Sequence, residues 1–421
     1  MLRVLESEHG PVVGPGYPDS RGTRVSVART PDEAERLRSA WSAVPWGRVD
    51  ADLDFYLCVM ASRPQIERPH AILVERDGRA TAALAAWIEN VPLPSRFGYT
   101  TVFAPTVRSL TATLGGVVSP VDESTAMQLM DAALDVFATR DADLIRLPGI
   151  PIESPVARAL EESVARFRRE ILVDRRTHHK LTLPKTFDEF LASRSKSTRK
   201  HIKLNRNRFE RTFGADATLK ILSGPDDLTR IREDLDLVSA KTYQRALGAG
   251  FADSQEERSL LELSLTRGWF RAYVLYVAEA PVAFWMGWAY GDTFCIGATG
   301  YDPAFASHRV GNYVLSRLIE DLCSDPSIHA VDFGPGDAAY KHQYGSETWS
   351  EQEILVFAPT FRAVGINAAR TAVRAGDLGA KRVLRSAGWG DRVKTLWRTR
   401  LRESRRQAAP EQKNPEQAPG S

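Results

Sequence analysis

Cysteine is scarce in this chain: Cys58, Cys295 and Cys323 are the only three among 421 residues. They are scattered, with no pair at metal-ligand spacing, so neither a disulfide framework nor a cysteine zinc site is expected. Cys295 falls in an apolar stretch and Cys323 in a helical one, which reads them as core residues in a reducing compartment. Long apolar runs are missing as well. The longest candidate, Val282 to Tyr290, has the length of a strand, whereas a membrane-spanning helix needs about 20 residues. Met1 to Asp19 mixes polar residues with glycine and proline and has no apolar centre, so it does not read as a signal peptide. Net charge is only +3, which excludes a polycation. There is no Walker loop, no H-E-x-x-H and no G-x-S-x-G. His178-His179 reads as a surface pair, and no metal is expected. The expected location is the cytoplasm, the inner membrane face included.

What remains is an ordinary globular composition, 43% hydrophobic and 26% charged, long enough for two or three domains. Met1 to Arg21 reads as a disordered leader. Val25 to Ala28 is a strand, and Thr30-Pro31-Asp32-Glu33 caps a helix. Ala71 to Glu75 and Ala80 to Ile88 form a hairpin about Arg76-Asp77-Gly78, and Val91 to Ser95 is a proline-rich connection. Thr113 to Val118 is a strand. Thr125 to Thr139 is an amphipathic helix with Met127, Met130, Leu134 and Phe137 on one face, and Leu144 to Leu147 is a strand ended by Pro148-Gly149. Helices are expected over Ser154 to Arg169, Asp226 to Lys241 and Ser254 to Leu265, and strands over Arg175 to Leu183 and Glu353 to Phe357.

The stretch from Trp269 to Gly345 reads as a meander, a helix, a strand and a charged loop. Phe270 to Glu279, Val282 to Tyr290 and Thr293 to Tyr301 are the meander strands, with Ala280-Pro281 and Gly291-Asp292 between them. A helix opens at Arg309-Val310-Gly311-Asn312 and carries Val314, Leu315, Leu318, Ile319 and Leu322 at helical spacing. Ile328 to Phe333 is a short strand broken by Gly334-Pro335-Gly336-Asp337. The first half repeats this order: hairpin, strand, Ser119-Pro120, helix, then Asp143 to Gly149. A tandem repeat of two units follows.

Three pieces resemble the GNAT acyltransferase superfamily, and within it the FemAB-like and CelD-type branch found with cellulose and exopolysaccharide genes. They are Tyr301-Asp302-Pro303-Ala304-Phe305-Ala306, the Gly311 helix start, and Asp332 to Asp337 followed by Tyr340-Lys341. The resemblance covers Thr186 to Gly345. With the repeat it implies a mixed α/β fold: a degenerate GNAT-like unit over 22–170, a second over 171–358, a basic helical tail over 359–407 and a disordered end over 408–421.

The resemblance also implies acyl transfer from acetyl-CoA or another acyl-CoA to an amine or hydroxyl of a sugar, lipid-linked sugar or envelope precursor. A helix N-terminus is a ready anion site, so Arg309, Val310, Gly311 and Asn312 are expected to hold the CoA pyrophosphate. The superfamily pattern carries a second glycine or alanine here; this chain has Tyr313, which crowds the loop. That departure keeps open a FemAB-like aminoacyl-tRNA donor acting on a peptidoglycan-type precursor. A noncatalytic accessory role in polysaccharide assembly is the other alternative. Asp332, Asp337, Tyr340 and Lys341 follow a strand end and are the expected catalytic and acceptor-binding residues: carboxylates as bases, tyrosine as the acid for a thiolate, lysine for a substrate anion. Two basic segments complete the reading. Ser193 to Arg211 carries eight arginines and lysines against Glu210, with Ile202, Phe209 and Phe213 on its buried side, and would concentrate a phosphate of CoA, lipid-linked sugar or tRNA. Arg362 to Arg402 has acids only at Asp377 and Asp391, with turns near Gly376. It is expected either to lie on an anionic membrane or to dock on the second unit.

Overall fold

In a computed structural model of the protein, the described residues are 22–98, 100–118, 122–242, 245 and 250–386. The leader, Ser119-Pro120, and the tail beyond Ser386 with Trp389 and Trp397 lie outside them. The strands are β1 Thr23–Ala28, β2 Ile66–Pro69, β3 Ala71–Arg76, β4 Arg79–Pro92, β5 Ser95–Phe97, β6 Thr100–Phe103, β7 Thr106–Val118, β8 Leu144–Pro151, β9 Arg176–Thr182, β10 Ala217–Leu222, β11 Phe270–Val277, β12 Ala280–Tyr290, β13 Thr293–Tyr301, β14 Ala330–Pro335 and β15 Glu347–Phe357. The helices are α1 Pro31–Arg36, α2 Arg38–Ser42, α3 Leu53–Ser62, α4 Glu123–Ala138, α5 Pro155–Ser163, α6 Phe187–Ser193, α7 Lys196–Phe213, α8 Leu228–Ala240, α9 Gln255–Thr266, α10 Val310–Ser324, α11 Ala339–Tyr344 and α12 Phe361–Ser386. Among the described residues no helix is long and apolar enough to cross a membrane.

The two halves have one topology. In the first, β3, β4 and β7 are antiparallel neighbours, and β8 returns parallel to β7 by way of α4. In the second, β11, β12 and β13 are antiparallel, and β14 returns parallel to β13 by way of α10. Both hairpins turn on two left-handed residues, Asp77-Gly78 and Ala278-Glu279, the geometry that matches strand twist. The halves fuse into a single 13-stranded sheet because β15 pairs with β8 on one side and β9 on the other.

Strand alternation decides what each face meets. On one face Ile72, Leu84 and Ile145 pack under Leu129, Met130 and Leu160 of α4 and α5. In the second half Tyr273, Phe294 and Val331 pack under Val314 and Leu318 of α10 and under Ile202 and Phe209 of α7. On the opposite face of the first half, Leu73, Ala85 and Trp87 meet Trp41 and Tyr56, and this core takes in Leu260 of α9, tying the halves together. Arg63 reinforces the seam with an ion pair to Glu256 at 2.7 Å.

Several elements differ from the sequence expectation. Ala280-Pro281 is not an interruption but the start of β12; Pro281 sits opposite Tyr276 beside a bulge, where a missing N–H is tolerated. Pro148-Gly149 does not end β8 but forms its bulge, with Gly149 at φ 68°. The segment Val91 to Ser95 divides between the end of β4 and the small β5–β6 hairpin. Met127 is exposed, because α4 buries Ala126, Leu129, Met130, Ala133 and Val136 instead. α12 runs unbroken through Gly376, which faces Phe97. That helix docks on the first unit: Arg370 reaches the Leu93 and Pro94 carbonyls and Glu170, and Asn367 donates to the Phe167 and Arg169 carbonyls.

Candidate functional site

The parallel strands β13 and β14 stay together for only three register pairs, Thr293 with Ala330, Phe294 with Val331 and Cys295 with Asp332. Beyond Cys295 they part. β13 continues to Tyr301 beside β12, and β14 continues beside β9. The result is a wedge at the carboxyl ends of two central strands, the usual location of ligands in such sheets. The Tyr340 ring lies in it, 5.1 Å edge-on to Trp285 of β12 and 6.0 Å from Phe333 of β14. Burial pushes the Tyr340 hydroxyl up to about 12, so it stays protonated at neutral pH.

The N-terminus of α10 stands beside the wedge. Trp285 Nε1 donates to the Gly311 carbonyl at 2.9 Å, so one indole links the helix start to Tyr340. Arg309 precedes the helix in a left-handed conformation, φ 53°, and no side chain caps the first turn. Tyr313 does not crowd this loop. It is buried and stacked on Phe209 of α7 at 4.1 Å, turned away from the helix start. A Cβ at Gly311 would meet only Tyr301, at 3.6 Å, so the position is open.

At the mouth of the wedge, Asp332 belongs to a buried charged chain that the sequence did not disclose. His178 Nε2 and Asp332 Oδ1 are 2.6 Å apart, and His178 Nδ1 and Glu351 Oε2 are 2.7 Å apart. Arg48, 284 residues along the chain from Asp332, donates to its other oxygen at 3.0 Å and also to Asp50 at 3.1 Å. The Gly334 N–H donates to Asp332 at 2.7 Å. Trp349 stacks on the His178 ring at 4.2 Å. Burial disfavours charge on His178, but its hydrogen bonds to Asp332 and Glu351 outweigh burial and raise its pKa. Burial likewise opposes the Asp332 charge, yet His178 and then Arg48 hold its carboxyl below the usual range. The chain therefore alternates acid and base along its length: Glu351, His178, Asp332, Arg48.

The expected catalytic loop is thus divided. Asp332 faces His178. Tyr340 faces the wedge. Lys341 is buried and spends its ammonium on the Gly334 and Pro335 carbonyls at 3.1 and 2.7 Å; burial lowers its pKa. Asp337 is exposed, with His342 at 3.9 Å. Nor is His178-His179 a surface pair. Both residues are buried in β9, and alternation sends them to opposite faces of the sheet. Glu351 carries no clear signal, because the apolar run Ile354 to Phe357 has no alternation to extend and a bulge falls between Gln352 and Ile354. Arg48 carries no local signal, because its role depends on how the halves meet.

α7 buries Ile202 and Phe209 against α10 and pairs Arg206 with Glu320 at 2.9 Å. Its outer face exposes Lys196, Lys200, Lys203, Arg208 and Arg211, none of them paired with an acid among the described residues.

Residues 196–342 match the sequence model of the acetyltransferase (GNAT) domain. Arg48, His178 and Glu351 lie outside that span. The fold is similar to that in the crystal structure of FemX, at 12% identity over 77% of this chain and 96% of that one, with a TM-score of 0.53. A tandem GNAT protein from the clavulanic acid biosynthesis pathway also matches, at 12% identity over 80% and 99% of the two chains, TM-score 0.44. L-PGS from Bacillus licheniformis matches at 13% identity over 81% and 96%, TM-score 0.45. No curated protein matches the sequence. The fold is of the GNAT acyltransferase type, built from two units in one sheet.

Proposed function

We propose that the protein is an acyltransferase that takes an acyl group from acyl-CoA and gives it to an amine or hydroxyl of a sugar or cell-envelope precursor. The observation that carries this reading is the β13–β14 wedge, with an uncapped helix start on one side and a buried carboxylate at its mouth. The first turn of α10, with Arg309, Val310, Gly311 and Asn312, suits a pyrophosphate, because no side chain caps it and the helix dipole favours an anion. The Arg309 and Asn312 N–H groups already donate to the Ala306 and Arg309 carbonyls, which leaves those of Val310 and Gly311 for the ligand. The acceptor class rests on the resemblance to the CelD-type branch.

In this mechanism the acceptor nitrogen or oxygen attacks the thioester carbonyl carbon, and the carbon–sulfur bond breaks. Tyr340 donates its proton to the departing thiolate. Asp332, backed by His178 and Glu351, takes the acceptor's proton directly or through water. Its depressed pKa makes it a weak base, which suffices once attack has made that proton acidic. Lys341 holds the loop through the Gly334 and Pro335 carbonyls.

Thermal stability with acetyl-CoA or CoA tests the donor, since a ligand that binds only the native state raises Tm. Absence of binding at millimolar CoA overturns the acyl-CoA reading. A second reading, an aminoacyl-tRNA donor, draws on the exposed basic face of α7; salt-sensitive retention of tRNA in place of CoA would favour it. Along the described part of the 362–402 segment, Arg362, Arg370, Arg374 and Lys381 are engaged with Asp143, Glu170, Asp174 and Asp377, which leaves fewer cations there for contact with an anionic membrane.

A further inference from the structure

β9 sends His178 to the charged chain and its neighbour His179 to the other face, beneath the loop that follows β14. His179 is fully buried, and neither of its ring nitrogens has a hydrogen-bond partner. Buried polar atoms are almost always paired, and an exception of two atoms on one ring calls for an occupant. Two other potential ligands converge on this ring. Gly334 and Gly336, both at positive φ, fold the chain back, and the Gly336 N–H donates to the Thr177 carbonyl at 2.8 Å. This brings Asp337 over β9. His342, on α11, places its ring 4.6 Å from that of His179, edge to face. One ligand atom from each of His179, Asp337 and His342 lies within 4.8 Å of the others.

We propose that His179, His342 and Asp337 form a binding site for a divalent transition-metal ion, of which zinc is the type. Two imidazoles and one carboxylate make a nitrogen-rich set that suits zinc, cobalt or nickel and not magnesium or calcium, which take all-oxygen shells. Three protein ligands leave a coordination position open to solvent. His342 and Asp337 are exposed, so small rotations of their side chains bring all three atoms to bonding distance of one ion. Burial of His179, and then the neighbouring His342 and Lys341, lower its pKa and keep it in the neutral form that ligates. The nearest ammonium, on Lys341, is held by the Gly334 and Pro335 carbonyls, and Asp337 supplies the one negative charge in the set. A bound ion would pin the segment that carries Tyr340 and Lys341 onto β9.

The test reads metal binding itself and so stands apart from the acyl-transfer reading. Full-length protein without a histidine tag is stripped with chelator. It is then titrated with Zn²⁺ against a chromophoric competitor, and with Co²⁺ while visible absorption is followed. The expected result is one ion per chain and intense Co²⁺ ligand-field bands of low coordination number. His342→Ala and Asp337→Asn, both at exposed positions that leave the core untouched, should each weaken Zn²⁺ by at least about tenfold, the smallest loss typical of an outer-shell change. Unchanged Zn²⁺ affinity in the double variant, or a Co²⁺ spectrum of the hydrated ion alone with the wild-type protein, overturns the proposal.

Discussion

The two halves share a topology but not a working end. Each has a wedge where two parallel strands part: β7 and β8 pair only from Ser109 to Thr111, as β13 and β14 pair only from Thr293 to Cys295. In the first half the helix that follows is closed. Asp122 caps α4 through the Ser124 N–H and takes bonds from the Thr125 hydroxyl and Arg76, so a carboxylate already occupies the place an anion would take. In the second half the equivalent helix start is uncapped and has Arg309 beside it. The first wedge is filled from within, since a Cβ at Gly115 would strike the Arg48 side chain at 2.8 Å. Arg48 crosses from there to Asp332 of the second unit. One half has an uncapped helix start beside its wedge, and the other has a capped one and sends Arg48 across to Asp332.

The largest effect expected from breaking this asymmetry is at Asp332. Asp332→Asn should reduce turnover by roughly 10²-fold or more. It also removes the negative charge that His178 and Arg48 share, leaving them Glu351 and Asp50, and should lower stability in denaturant titration. If both quantities stay near wild type, the charged chain is neither catalytic nor structural. Next, Tyr340→Phe should cut turnover by a similar factor, roughly 10²-fold, with CoA affinity unchanged, as read from initial rates and titration. Retained turnover would remove Tyr340 as the acid. Gly311→Glu should abolish the Tm shift produced by CoA, whereas Gly311→Ala should leave the Tm of the free protein as it is, because its Cβ meets only Tyr301 at 3.6 Å. Equal CoA binding by the glutamate variant would place the anion elsewhere.

Smaller effects sharpen the same contrast. The raised pKa of His178 means that its stabilisation is complete below about pH 6.5 and is lost as pH rises through its folded value. The lowered pKa of Asp332 acts in the opposite sense: its contribution is present above about pH 3.9 and is lost on acidification through its folded value. The stability difference between wild type and His178→Gln should therefore be largest between those limits and shrink on either side. A difference that is flat with pH would mean a neutral imidazole. Smallest of all, Asp122→Ala should lower Tm modestly by uncapping α4 and leave CoA binding untouched; a change in CoA affinity would make the first wedge a ligand site after all.

Local chemistry was legible in the sequence wherever neighbours along the chain determine it. Thr30 caps α1 with the reciprocal Glu33 bond, Asp77-Gly78 turns the first hairpin, and the bounds of β13 are those read from Thr293 and Tyr301. The repeat was legible because both halves carry the same order of elements. What could not be read is set by register and by contacts between halves. A one-residue alternation separates His178 from His179, and the charged chain joins Arg48, His178, Asp332 and Glu351 from four distant stretches. The direction of the Tyr313 ring is not local information either, since it depends on Phe209 of a helix far along the chain.

The position of β15 has a consequence for how the chain assembles. During synthesis β8 and β9 emerge long before the strand that lies between them. Until Glu347–Phe357 arrives, each presents an unpaired inner edge, and the first unit lacks Leu355 and Phe357 beneath β8. Two unpaired strand edges, that of β8 apolar and that of β9 largely polar, are a template for pairing with other chains. Closing them requires contacts of long sequence separation, which form slowly. The nascent protein therefore passes through a stage in which both halves are present and neither is finished. A chain cut just before Glu347 would be held at that stage, with open edges and a strong tendency to aggregate.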